Sequence, residues 1–251
     1  MKDRRVRLLH ELVYSMAEAN PESTALLYKK EALTFEQLGS EVERFSHSIC
    51  GLGLGLNDRV AIYLPKQLEV VTGVFGAAAA GGVAVPINPM LKAQQVSHIM
   101  RDCNVRVLIT SASRAKQLLE ILPDCPDLDF LVLTGKVKEP PRIPGVETLT
   151  WEELVNTAGV EPPRRIDSDM AAILYTSGST GSPKGVVLSH LNMVAAAESS
   201  ADFLQLTASD RLLAVLPLSF DYGLTQLTTA YYVGASVVLM DYLLAKEVVA
   251  A

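Results

Sequence analysis

The sequence predicts an α/β protein: a mostly parallel sheet built from βαβ units, with helices packed on both faces. Two observations carry this. Apolar residues recur at spacings of three and four in some segments and as short continuous runs in others, and the two kinds alternate along the chain. Hydrophobic residues make up 49% of the 251 positions and charged residues only 20%. That composition excludes disorder by low hydrophobicity and high charge, and a chain of this length can bury roughly three-quarters of its unfolded surface.

Residues 7–19 set Leu8, Leu9, Leu12, Val13 and Met16 at helical spacing, and Pro21 ends the segment. Residues 25–28 read as a short strand. Thr34 is an N-cap with Gln37 three residues on, a capping box, and Phe35, Leu38, Val42, Phe45 and Ile49 give the helix after it an apolar face. It stops at Gly51-Leu-Gly-Leu-Gly55. The spacing there is G-x-G-x-G and it follows a helix, so it reads as a helix end and connector, not a dinucleotide-binding turn.

Strands at 59–64, 83–87, 105–110 and 130–133 then alternate with helices at 69–80, 93–101 and 114–122. Residues 70–91 lack any charge and are long enough to span a bilayer, but Gly73, Gly76, Gly81, Gly82, Pro86 and Pro89 interrupt them. They are expected as a buried helix followed by a buried strand, not a membrane span. Residues 136–145 hold three prolines and three basic residues, a surface loop. A short helix at 151–158 and a linker at Glu161-Pro-Pro-Arg-Arg165 close a first α/β subdomain, residues 1–165. Residues 166–251 begin a second, with strands at 171–175, 186–188, 212–216 and 236–240 and helices at 189–204 and 222–233. Residues 243–251 are helical in composition with no Gly, Asn or Pro to close them, so the chain is expected to be truncated.

Charge narrows the function. With 22 Lys+Arg against 28 Asp+Glu the net charge is −6, the wrong sign for a nucleic-acid binder. Cys50, Cys103 and Cys125 are odd in number and show no CxxC pair, and read as small buried hydrophobes in a reducing compartment. The N-terminus is basic, but Glu11 and Glu18 break what would be the apolar stretch of a signal peptide. A cytoplasmic protein is expected. His10, His47, His98 and His190 lack metal-ligand spacing and are expected at the surface or in loops, so no metal site is predicted in this chain. Ser189-His190 has no G-x-S-x-G and no third member, which excludes a hydrolase pair. Most of the acidic residues fall on polar helix faces.

The chemistry lies between two apolar strands, in Thr176-Ser-Gly-Ser-Thr-Gly-Ser-Pro-Lys184-Gly185. Gly178, Gly181 and Gly185 permit positive φ and let amides converge on a ligand. Thr176, Ser177, Ser179, Thr180 and Ser182 add hydroxyls, and Lys184 adds one cation. These are the parts of an oligophosphate cradle. A flexible Gly/Ser linker is the other reading of the same residues, although linkers rarely sit between two buried strands with a lone Lys near their end. A Walker A loop is excluded, because Lys184 follows Pro and precedes Gly and a strand.

The segment from Tyr175 to Gly185 resembles, nearly residue for residue, the signature loop of the adenylate-forming (AMP-binding) superfamily: acyl-CoA synthetases, peptide-synthetase adenylation domains and luciferases. Asn57-Asp-Arg-Val-Ala-Ile-Tyr-Leu-Pro65, Gly81-Gly-Val-Ala-Val-Pro-Ile-Asn-Pro89 and Leu216-Pro-Leu-Ser-Phe-Asp-Tyr-Gly223 are similar to three further family stretches. The resemblance implies a two-step ligase. A carboxylate attacks the α-phosphate of Mg-ATP and expels pyrophosphate, and the thiol of CoA or of carrier-protein phosphopantetheine then displaces AMP. It implies a phosphate loop of Thr176, Ser177, Gly178, Ser179, Thr180, Gly181 and Lys184, with Lys184 catalytic, that opens to release pyrophosphate.

The resemblance also implies that Phe220, Asp221 and Gly223 bind the acid. Phe220-Asp221 is similar to the pair found in amino-acid-activating domains, where the Asp meets the substrate ammonium. The competing reading makes Asp221 the N-cap of the helix at 222–233. A likeness to prolyl-carrier-protein ligases and to ligases of exopolysaccharide export favours an amino-acid substrate. The family's aromatic-Gly-x-Thr-Glu and Thr-Gly-Asp motifs and its small C-terminal domain are not among these 251 residues. The resemblance therefore covers an N-terminal portion that carries the phosphate loop and one wall of the acyl pocket, expected to be inactive alone, with the Mg²⁺ ligands downstream. The alternative is a non-catalytic nucleotide-binding or interaction module ending at Ala251.

Overall fold

The computed structural model describes residues 6–176, 183–241 and 245–249. Helix α1 (Glu11–Ala19) leads into strands β1 (Thr24–Tyr28) and β2 (Glu31–Thr34) and then α2 (Phe35–Gly51). The next run is β3 (Arg59–Tyr63), α3 (Leu68–Ala79), β4 (Val83–Pro86), α4 (Ala93–Asp102), β5 (Val105–Ser111), α5 (Ala112–Leu118), a 3-10 turn at Leu122–Asp124 and β6 (Phe130–Thr134). It is followed by β7 (Glu147–Thr150), α6 (Trp151–Val155), β8 (Met170–Thr176), β9 (Lys184–Ser189), α7 (His190–Leu204), β10 (Arg211–Ala214), α8 (Asp221–Val233), β11 (Ser236–Leu239) and α9 (Ala245–Val249).

The strands form two sheets. A seven-stranded sheet runs β7-β6-β5-β3-β4-β8-β9 and a four-stranded sheet runs β10-β11-β1-β2. All neighbours are parallel except β8 with β9 and β1 with β2. Side chains alternate between faces along a strand. Val60, Ile62, Val107 and Ile109 therefore join one core with α2 and α3, while Ala61, Tyr63 and Leu108 join another with α4 and α5. Strands buried on both faces read as unbroken apolar runs, which is why β3 and β5 were visible in the sequence.

The first core continues through α1, α2, α3 and α8 to the four-stranded sheet. At its centre Tyr231 is fully buried, with Phe35 and Phe75 each at 5.6 Å between ring centroids. The capping box on α2 is present: the Gln37 N–H donates to Thr34 Oγ1 at 3.2 Å and the Thr34 N–H to Gln37 Oε1 at 2.9 Å. Phe35, Leu38, Val42, Phe45 and Ile49 are all fully buried, as that face required. The three cysteines are free and buried. Residues 70–79 are buried within the twelve-residue α3, and no helix among the described residues is long and apolar enough to cross a membrane.

Strands β2 and β7 are additions to the sequence reading. Both are edge strands of four residues, half-exposed, with little apolar alternation to announce them. Helix α5 is shorter than expected, and the chain turns into the 3-10 segment at Pro123, which has no N–H to continue a helix.

Two histidines correct the expectation of surface positions. His10 and His190 are 4% and 1% exposed. The Leu9 N–H donates to His190 Nδ1 at 3.0 Å, and Arg165 donates to His10 Nε2 across 3.3 Å. Burial first, and Arg165 second, push His10 down to about 2 and His190 down to about 4. Both values lie below 6.5, so the unfolded chain takes up protons that the folded chain refuses. The stabilisation they lend is complete above pH 6.5 and is lost as pH falls toward 4, at about 1.4 kcal/mol per pH unit for each histidine. Denaturant midpoints measured from pH 7.5 to 4.5 are expected to fall accordingly. His190→Asn, which keeps an acceptor for Leu9, should remove about half of that slope; a slope unchanged by the substitution would be contrary to this account.

Candidate functional site

Six parallel strands finish on one edge of the seven-stranded sheet, and what gathers there is chemically distinctive. Helix α3 leaves β3 onto one face and α4 leaves β4 onto the other. β3 and β4 thus flank the point where the winding reverses, and a crevice opens outside their carboxyl ends. A cleft of about 400 Å³ lies there, walled by Ile62 and Leu64 at the end of β3, Pro86 to Met90 at the end of β4, and Val215 to Ser219 after β10. Its wall is mostly apolar, with Lys66, Asn88, Arg114, Ser219 and Asp241 as its polar residues. A larger groove of about 1170 Å³ between α1, α7 and α8 contains none of the predicted site residues.

Strand β8 ends on the same edge at Thr176, and Lys184 opens β9 as its direct antiparallel partner. The two ends of the predicted phosphate loop therefore face each other. Ser177, Gly178, Ser179, Thr180 and Gly181 lie outside the described residues. Thr176 and Lys184 are both exposed, and Lys184 forms no ion pair with any described residue. Helix α4 holds both flanks: the Tyr175 hydroxyl donates to Asp102 Oδ2 at 2.5 Å, and His98 Nε2 donates to the Pro183 carbonyl at 3.0 Å. His98 and Asp102 are four residues apart and share a helix face. Burial and the Asp102 carboxylate together push the Tyr175 hydroxyl far above its usual range, so it stays a donor. Gly185 has ordinary extended backbone. Its requirement is space, because a Cβ there would stand 2.8 Å from Ile173 Cγ2 and 3.1 Å from the Tyr175 ring.

The third group sits at the start of α8. Phe220 is the N-cap residue and Asp221 is the first helical residue, with no side-chain cap bond. This corrects the N-cap reading: the helix begins one residue earlier than expected. Asp221 is exposed. Its charge still lies in the first turn, where the helix dipole favours it. Gly223 is buried, and a Cβ there would lie 2.1 Å from the Pro217 carbonyl oxygen. That same oxygen accepts the Phe220 N–H at 3.1 Å, so the turn from the cleft wall into α8 is wound tightly on one carbonyl. No hydrogen bond or ion pair among the described residues joins this group to Lys184.

Some of the edge had no sequence signal. Lys66 and Ser219 are 7% and 6% exposed in the cleft, and Ser219 Oγ has no partner among the described residues. The two carbonyls that Lys66 bonds lie 149 and 174 residues away in the chain. Ser189 and His190 are structural: Ser189 Oγ caps α7, accepting from the Asn192 N–H at 3.1 Å. No group of three His, Cys, Asp or Glu residues that could hold a metal occurs among the described residues.

The family model described as "AMP-binding enzyme" matches residues 14–250. An L-proline--[L-prolyl-carrier protein] ligase of Pseudomonas fluorescens is 29% identical over 94% of this chain and 45% of its own length. Tyrocidine synthase 3 of Brevibacillus parabrevis is 28% identical over 97% of this chain and 4% of its own length. Among solved structures, the anthranilate CoA ligase AuaEII in complex with anthranoyl-AMP aligns with a TM-score of 0.88 at 29% identity. That alignment covers 99% of this chain and 48% of the ligase. The chain thus spans less than half the length of each of these relatives.

Proposed function

Since the chain belongs to the AMP-binding enzyme family, we propose that it forms the N-terminal part of an AMP-forming acid ligase. The observation that carries this reading is the Thr176–Lys184 pair, which closes the hydroxyl- and glycine-rich segment on the carboxyl edge beside the cleft. In the first step a carboxylate oxygen of the acid attacks the α-phosphorus of ATP. The bond from that phosphorus to the bridging oxygen breaks, and pyrophosphate leaves with its electron pair. In the second step a thiol of CoA or phosphopantetheine attacks the acyl carbon, its proton goes to solvent, and AMP departs.

Lys184 and the hydroxyls and amides of residues 176–181 meet the β and γ phosphates in the first step. Opposing the charge that builds on the leaving pyrophosphate lowers that barrier. Mg²⁺ neutralises the triphosphate when bound. Its ligands are proposed, on the family likeness, to lie outside these 251 residues. The three buried thiols fit a reducing compartment, and a cytoplasmic setting belongs to the proposal.

Phe220, Asp221 and Gly223 form the acid-binding end, with an amino acid as the substrate. Asp221 makes no cap bond and no ion pair among the described residues, which leaves its carboxylate available to an ammonium, and the similarity to a proline ligase supports the same assignment. In the ligase that contains this chain, Asp221→Asn is expected to raise the amino-acid KM at least tenfold, the loss of one charge-assisted bond of roughly 1.5–3 kcal/mol. The KM for ATP should not move. Acid-dependent ATP–pyrophosphate exchange measures both. Preference for a plain fatty or aryl acid, with Asp221→Asn altering only the melting temperature, would reduce Asp221 to a charge on the helix dipole.

A further inference from the structure

Lys66 is a cation buried where the two sheets meet. It lies three residues beyond β3, and its side chain is 7% exposed. Its ammonium donates to the Val215 carbonyl at 2.7 Å and to the Met240 carbonyl at 2.8 Å, with Asp241 Oδ1 at 3.7 Å. Val215 directly follows β10 and Met240 directly follows β11. One side chain rooted in the seven-stranded sheet is therefore bonded to the carboxyl ends of two strands of the other sheet. Two of the ammonium's three donors thus bond carbonyl oxygens, and Asp241 adds a nearby opposite charge beyond hydrogen-bond distance. Burial lowers the pKa of this ammonium and Asp241 opposes that shift. A buried cation is costly, and an apolar side chain of the same length would fill the space more favourably, so packing alone does not account for a lysine.

The position of Val215 sets the course of the chain beyond it. From there the backbone lines the cleft through Leu216, Pro217, Leu218 and Ser219 and enters α8 at Phe220 and Asp221. The Pro217 carbonyl ties this stretch to the helix through the Phe220 N–H at 3.1 Å, and it lies so close to Gly223 that an added Cβ would stand 2.1 Å from its oxygen. We propose that Lys66 is a positioning residue for the acid: by holding Val215 and Met240, its ammonium sets the path of residues 215–221 and so the place of Asp221. This deepens the acid-site assignment above and rests on it.

Lys66→Met keeps the stem and removes the donors. In the ligase that contains this chain, the acid KM is expected to rise on the order of 10- to 100-fold, the scale of a displaced positioning group. The KM for ATP should stay within about twofold, and Lys66→Arg should restore most of the loss. A lysine that served only stability would lower the melting temperature and the active fraction, and hence kcat, without moving the acid KM; that outcome overturns the proposal. Where Lys66→Met does not fold, Lys66→Gln, which keeps an uncharged donor, carries the test: a raised acid KM supports the proposal and an unchanged one overturns it. If the wild-type ligase activates no acid, the functional reading itself fails. Amide exchange over residues 215–221 of the chain then decides the positioning role, faster exchange in Lys66→Met supporting it and equal exchange overturning it.

Discussion

Lys184→Ala is expected to slow adenylation by about 2–4 kcal/mol in barrier, the cost of removing one preorganised donor from developing charge. Thioester formation should be spared. The reason is temporal: pyrophosphate carries the charge that Lys184 is proposed to meet, and it has left before the thiol attacks. Lys184 is exposed at the first position of β9 and pairs with Thr176 through the backbone, so truncating its side chain leaves the strand ladder intact. Rapid-quench measurement of the two half-reactions separates the effects. Equal slowing of both would assign Lys184 a structural role.

Gly223→Ala is expected to destabilise the fold by about 3 kcal/mol, at the upper end of overpacking costs. A Cβ would stand 2.1 Å from the Pro217 oxygen, 2.8 Å from the Pro217 carbonyl carbon and 3.2 Å from the Leu216 oxygen. These neighbours are backbone atoms, and Pro217 is already engaged by the Phe220 N–H, so no flexible side chain can move aside. A drop in melting temperature of roughly 6–12 °C is expected for a domain of this size. The strain also acts on the segment that bears Phe220 and Asp221, so the acid KM should rise with it. A variant as stable as wild type would mean that α8 can slide along the cleft wall.

How much was legible in the sequence depends on how far apart the cooperating residues lie. The capping box of Thr34 and Gln37, the apolar face from Phe35 to Ile49 and the doubly buried strands are local patterns, and each is present. The segment from Thr176 to Gly185 stood out by composition and by its likeness to a family signature loop, and its phosphate role belongs to the proposal. Residues joined only by the fold were silent. His10 and His190 look like scattered polar residues until Leu9 and Arg165 close around them. Lys66 reads as an ordinary loop lysine, and its acceptors lie 149 and 174 residues downstream. β2 and β7 escaped because edge strands bury too little to impose a pattern. Asp221 was placed one residue off its helix position, and that difference turned an expected cap into an exposed first-turn carboxylate.

The most direct test of the account tracks oxygen. When the acid is supplied with ¹⁸O in its carboxylate, together with ATP and a thiol acceptor, attack on the α-phosphorus leaves one labelled oxygen bridging acyl group and AMP. Cleavage of the acyl–oxygen bond by the thiol then leaves that oxygen on AMP. Mass spectrometry of the nucleotide product from the ligase containing this chain should find AMP carrying one ¹⁸O, formed only when the acid is present. Unlabelled AMP, or ADP and phosphate in its place, would contradict adenylation as the function of this fold.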